Sequence, residues 1–134
     1  MKTYKQRHDF VKYSDHWSTP AQIYDHYVHS LGYLDPCKLF DSGTDLKAYD
    51  VKSNMFINPP YSHISEWVRY AVNNSYYNGI HVVLLIPSRT DTRYFHELLQ
   101  HGCVLEFIKG RLHFGGSKNS APFPSVLVHL NEKI

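Results

Sequence analysis

The run from His81 to Pro87 constrains this chain most. After the histidine it is an unbroken series of valines, leucines and an isoleucine closed by proline. A strand without apolar and polar alternation has to be covered on both faces, which is the signature of an inner strand of a parallel sheet. The apolar stretch itself, Val82 to Pro87, is far below the ~18 residues of a membrane span. No membrane role is expected.

The segments around it read as alternating strands and helices. Thr19 is placed to cap a helix, with Pro20 at its first position and Gln22 three residues after Thr19, as in a capping box. Ile23, Tyr27, Val28 and Leu31 would line its inner face, and Gly32 would stop it. Tyr33-Leu34-Asp35 reads as a short strand ending at Pro36, and Met55-Phe56-Ile57 as another ending in Asn58-Pro59-Pro60-Tyr61. Ile64, Trp67, Val68, Ala71 and Val72 recur at the spacing of one helical stripe, and Asn78-Gly79 ends it. Thr90-Asp91 would cap a further helix with Phe95, Leu98 and Leu99 inward, closed by Gly102. Val104 to Ile108 reads as the next strand, and Ser125 to Leu130 alternates as the last. The order predicts an α/β fold with helices on both faces of a mostly parallel sheet.

Composition sets the scale. A chain of 134 residues with 43% hydrophobic and 19% charged content fits one domain, here residues 14–134 behind a basic, aperiodic arm of residues 1–13. Two cysteines, Cys37 and Cys103, without a Cys-x-x-Cys or a leading signal segment, fit a reduced, cytoplasmic protein. A net charge of +2 is too small to argue nucleic-acid binding without a clustered patch. Arg89, Arg93, Lys109, Arg111 and Lys118 are the candidates for such a rim, with Arg89 after a strand end the clearest. Gly115-Gly116-Ser117 lacks the strand and helix that a phosphate loop requires and reads as a hairpin loop. Ten histidines invite a metal. No Cys/His cluster has ligand spacing, and His26 and His29 lack a third ligand nearby, so no metal site is expected.

Ligands of open α/β sheets bind beyond the carboxyl ends of the strands, which singles out Asp35-Pro36-Cys37, Asn58-Pro59-Pro60-Tyr61 and Pro87-Ser88-Arg89-Thr90. The paired prolines hold the chain extended, so Asn58 and the Pro59 carbonyl can point together into a cleft beside the Tyr61 ring. Two acceptors aimed at one point suit an exocyclic amine, whose nitrogen regains lone-pair character when its hydrogens are accepted. Cys37 has no evident base, which weighs against a nucleophile and for packing against a bound ligand.

Six segments, Asp15-His16-Trp17-Ser18-Thr19-Pro20, Leu34 to Cys37, Asn58 to Ser62, Leu85 to Thr92, Gly110 to Phe114 and Ala121-Pro122-Phe123, occur in the order found in the phage-type DNA N6-adenine methyltransferases. The chain resembles that family from about residue 15 to 130. The resemblance implies an abbreviated Rossmann-like sheet and methyl transfer from S-adenosylmethionine to the N6 amine of a flipped-out adenine in DNA, in a phage or prophage product of a bacterial cell. It implies that Asn58, Pro59, Pro60 and Tyr61 hold the adenine. Asp15, Trp17, Thr19, Pro20, Asp35, Pro36, Cys37 and Asp45 would line the cofactor site, and Ser62, Arg89, Arg111 and Lys118 would meet DNA. So small a domain is expected to need a second copy or a helper protein on DNA.

One departure stands out. Many methyltransferases have a Gly-x-Gly turn after the first strand, whereas here Gly43 stands alone, and only residues 38–57 separate Cys37 from Asn58. Two alternatives therefore stay open: an inactive descendant that only binds DNA or protein, and methylation of an RNA base or a glutamine amide, which the same four-residue motif also serves.

Overall fold

The structure is a computed structural model, described over residues 18–38, 52–113 and 120–132. Four strands form one sheet: β1 (Met55–Ile57), β2 (Val82–Pro87), β3 (Val104–Phe107) and β4 (Ser125–Leu130), in the spatial order β1-β2-β4-β3. β1 and β2 are parallel, with Met55 opposite Val82 and Ile57 opposite Leu84. β4 runs antiparallel to both of its neighbours. The sheet is therefore mixed, not mostly parallel. The helical crossover between β1 and β2 allows a parallel pair, while β4 is fixed antiparallel by its register with β2 and β3. Tyr33-Leu34-Asp35 contributes only an isolated parallel bridge, Leu34 to Met55.

The two faces of the sheet are sorted by alternation along the strands. One face presents Met55, Ile57, Val82, Leu84, Ile86, Val126, Val128 and Leu130 to α2 (Ile64–Asn78) and α3 (Arg93–Gln100). All five positions of the expected α2 stripe are buried, and Trp67 is fully so. Gly79, in the left-handed region at φ 65°, ends α2. The other face presents Phe56, Val83, Leu85 and Leu127 to Tyr27 of α1, a short α-helix (Ala21–Tyr24) that continues as a π-helix (Asp25–Ser30). Helices thus cover both faces, and β2 and β4 are buried along their whole lengths.

Local details depart from the sequence reading where a tertiary partner intervenes. Thr19 does not cap α1; Pro20 occupies the N-cap, and its carbonyl accepts from the Ile23 and Tyr24 amides. Thr92, not Thr90-Asp91, is the N-cap of α3, and its hydroxyl donates to the Arg89 carbonyl at 2.7 Å. Leu31 and Leu99 are exposed, not inward, since neither falls under the apolar face that its helix turns to the sheet. Neither cysteine is in a disulfide, and burial pushes the Cys103 thiol up. No described helix is long and apolar enough to cross a membrane.

Candidate active site at the carboxyl ends of the parallel strands

β1 and β2 end on the same side of the sheet, and the chain leaving Leu34 points the same way because its bridge to β1 is parallel. The Phe56 amide donates to the Leu34 carbonyl at 2.9 Å, so Asp35 and Pro36 emerge beside the end of β1. After Ile57, Pro59 and Pro60 are buried and carry no amide hydrogen that the sheet would have to satisfy. They hand the chain to a 3₁₀ turn, Tyr61–His63, which feeds α2.

Asn58, half-buried, meets the segment that precedes α1. Its Nδ2 donates to Thr19 Oγ1 at 3.1 Å, across 39 residues of chain. That bond explains why Thr19 fails as a cap, since its hydroxyl is turned to the end of β1. It also orients the amide: Oδ1, the acceptor, is the end opposite Thr19. A second tie from α1 reaches the neighbouring strand exit, where the Tyr24 hydroxyl donates to Asp35 Oδ2 at 3.2 Å. The start of α1 is thus joined by side-chain hydrogen bonds to two successive strand ends.

Tyr61 stands on the flank. Its ring meets Phe123 edge-on, with centroids 5.3 Å apart and planes at 78°. Phe123 and Ala121 pack with Phe56 and Leu85, and the Ala121 amide donates to the Leu112 carbonyl at 2.7 Å. The segments around Leu112 and Phe123 therefore converge on Tyr61, which places exposed Arg111 on this flank, while exposed Arg89 follows the end of β2. Ser62 is exposed in the turn after Tyr61, and half-buried Cys37 packs against the core. Thr19, Pro20, Asp35, Pro36, Cys37 and Asn58 to Tyr61 thus lie at one end of the sheet. Asp15, Trp17, Asp45 and Lys118 lie outside the described residues.

A different group was not legible in the sequence. His81 and His129, 48 residues apart, stack with centroids 5.3 Å apart at the amino ends of β1 and β2. No local spacing could reveal the pair, because the β2–β4 register creates it: Val83 faces His129, so His81, two residues earlier on the same sheet face, lies diagonal to it. His29 pairs with Asp25 on its own helix.

This arrangement defines an α/β protein with a polar and aromatic site beyond the carboxyl ends of parallel strands. The chain matches the family model for DNA N-6-adenine-methyltransferase (Dam) over residues 6–129, nearly its whole length, and it belongs to that family. Neither the curated proteins nor the solved structures give a match. The family's description makes DNA adenine methylation its activity in broad terms, with DNA as substrate.

Proposed function

We propose that this chain transfers a methyl group from S-adenosylmethionine to the N6 amine of an adenine turned out of DNA, on a sheet that is an abbreviated Rossmann-like methyltransferase core. The observation that carries the reading is the Thr19–Asn58 hydrogen bond, which fixes the amide of the Asn-Pro-Pro-Tyr segment at a strand end. An acceptor that is already oriented costs little reorganisation when the amine approaches, which is the condition for strong electrostatic help.

The residues fit the methyl donor by their chemistry. Asp35, half-buried and hydrogen-bonded to Tyr24, offers a carboxylate to an ammonium group, with Pro36 and Cys37 following it in the chain. When bound, S-adenosylmethionine supplies an electrophilic methyl carbon on a sulfonium, whose carbon–sulfur electron pair stays with sulfur as the new nitrogen–carbon bond forms. Asn58 Oδ1 and the Pro59 carbonyl accept the two amine hydrogens, raise the electron density on nitrogen, and hold the proton that leaves after transfer until solvent takes it. Tyr61, braced by Phe123, stacks on the adenine, an interaction worth ~1–3 kcal/mol per base. Arg89, Arg111 and Ser62 contact the flanking backbone. An amine paired within a duplex faces its partner, so the site requires the base to be flipped at a cost of a few kcal/mol.

The test is methyl transfer from labelled donor to adenine-containing duplex DNA by the wild type and Asn58→Ala. Loss of one preorganised polar partner should lower the rate by about 10²–10³-fold, with only a small fall in melting temperature, because Asn58 lies outside the apolar core and the loss is one part-buried hydrogen bond. Wild-type rates in the folded variant, or no methylated adenine from the wild type, would refute the proposal; the second outcome, with DNA still bound, would leave a binding module.

A further inference from the structure

At the end of the sheet opposite Asn58, three groups from separate positions in the chain face one another. His81 Nε2 lies 3.1 Å from His129 Nδ1, and Glu132 Oε2 lies 3.8 Å from the same His129 nitrogen. One ligand atom from each of the three residues lies within 4.8 Å of the others. Two imidazole nitrogens on one tetrahedral zinc, each at about 2.0–2.1 Å, would stand roughly 3.3 Å apart. The observed spacing is close to that value without any movement of the strands.

The far nitrogens of both rings are engaged as well. His129 Nε2 lies 3.1 Å from Glu106 Oε1, and His81 Nδ1 lies 2.6 Å from the Tyr33 hydroxyl. A carboxylate can only accept, so His129 carries its hydrogen on Nε2 and directs the lone pair of Nδ1 toward His81. Ligating histidines characteristically donate their second N–H to a carboxylate or another oxygen in this way, which fixes the ring and its tautomer. In the metal-free state the chain of bonds runs from Tyr33 O–H to His81 Nδ1 and from His81 Nε2–H to His129. Turning His81 into a ligand requires only that its hydrogen move to Nδ1, where the Tyr33 oxygen can accept it. No net proton has to leave.

The backbone holds the groups in place. The His81 amide donates to Asn54 Oδ1 at 2.9 Å, and its carbonyl accepts from the Met55 amide at 3.1 Å. Asn131, in the left-handed region at φ 60° and tied through Nδ2 to the Ile80 carbonyl, turns the chain after β4 so that Glu132 returns toward His129. The three groups line a cleft of about 790 Å³ that also takes in Gln22, His26 and Asn54.

We propose that His81 Nε2, His129 Nδ1 and the Glu132 carboxylate bind one divalent transition-metal ion of the zinc class, with Glu106 and Tyr33 as positioning residues and the fourth coordination position open to the cleft. Two imidazoles and one carboxylate suit zinc and its neighbours over magnesium or calcium, which prefer all-oxygen sets. The ion would clip the end of β4 to the start of β2, at the opposite end of the sheet from the methyl-transfer site, so the proposal does not rest on that reading.

The experiment is calorimetric titration of tag-free, chelator-treated protein with Zn²⁺, paired with Co²⁺ absorption spectra as a geometry probe. One ion per chain, intense visible Co²⁺ bands of a four-coordinate site, and a higher melting temperature with Zn²⁺ are expected. Glu132→Gln and His81→Ala should each weaken Zn²⁺ binding, Glu106→Gln by about 10-fold or more through His129, and His26→Ala should leave it unchanged. His129 is buried, and its substitution is avoided because it could unfold the chain; Glu132 is more exposed, so Glu132→Gln decides the matter even if His81→Ala misfolds. No saturable binding, or equal losses in His26→Ala and Glu132→Gln, which would mark scattered surface histidines, would overturn the proposal.

Discussion

Where β1 and the Leu34 bridge end, polar side chains are held by α1 and the residue before its N-cap: Thr19 fixes Asn58 and Tyr24 fixes Asp35. At the amino ends, they are held by the sheet: β2, β3 and β4 contribute or adjoin His81, Glu106 and His129 across one face. The same α1 spans both, starting beside Asn58 and contributing His26 and Tyr27 to the cleft at the other end. The difference teaches how each could be read. A site built on strand exits leaves a contiguous signature such as Asn58 to Tyr61, whereas a site built by cross-strand register leaves none.

If the two ends are separate, substitutions at one should leave the other unmoved. The largest effect should come from Asn58→Ala, with methyl transfer lowered by about 10²–10³-fold and no change in Zn²⁺ affinity; a joint loss would merge the two sites. Thr19→Val comes next. It removes the partner of Asn58 while keeping the shape, and one hydrogen bond of about 1 ± 0.5 kcal/mol corresponds to a several-fold lower rate, seen as a fall in turnover without loss of helix content by circular dichroism.

Smaller changes should follow from charge. Arg89→Ala and Arg111→Ala should each flatten the dependence of DNA affinity on salt, by about 0.9 in the log–log slope for each phosphate that is no longer neutralised; an unchanged slope in fluorescence anisotropy would remove that arginine from the interface. The weakest effect concerns the other end. Burial, and then the nearby His129, hold the His81 imidazole below its ordinary value, with Glu132 opposing. A histidine whose folded value is lowered favours unfolding once protonated, so in chelator the melting temperature should hold above pH ~6.5 and fall as the pH drops below it. His81→Phe should soften that fall.

Much of the frame was legible from the chain because it rests on burial. β2 and the α2 stripe are read correctly since each is packed against apolar neighbours that enforce the periodicity. The helix starts were not: Thr19 turns its hydroxyl to Asn58, a partner 39 residues away that local pattern does not include, and Thr92 takes the N-cap of α3 in place of Thr90-Asp91. The direction of β4 was equally hidden, and its alternation, with Ser125 and His129 among apolar residues, did not reveal that the strand is buried along its whole length. At the candidate site, the strand-exit residues do come together, yet the hydrogen bonds from α1 that orient Asn58 and Asp35 could only be found in three dimensions.

The most direct test of where function resides is calorimetric titration with S-adenosylhomocysteine of the wild type, Asp35→Ala and His26→Ala. Saturable binding to the wild type and to His26→Ala, with at least tenfold weaker binding to Asp35→Ala, is the predicted result. Absence of binding to the folded wild type, or binding that survives Asp35→Ala and is lost in His26→Ala, would contradict a methyl-donor site at the carboxyl ends of the strands.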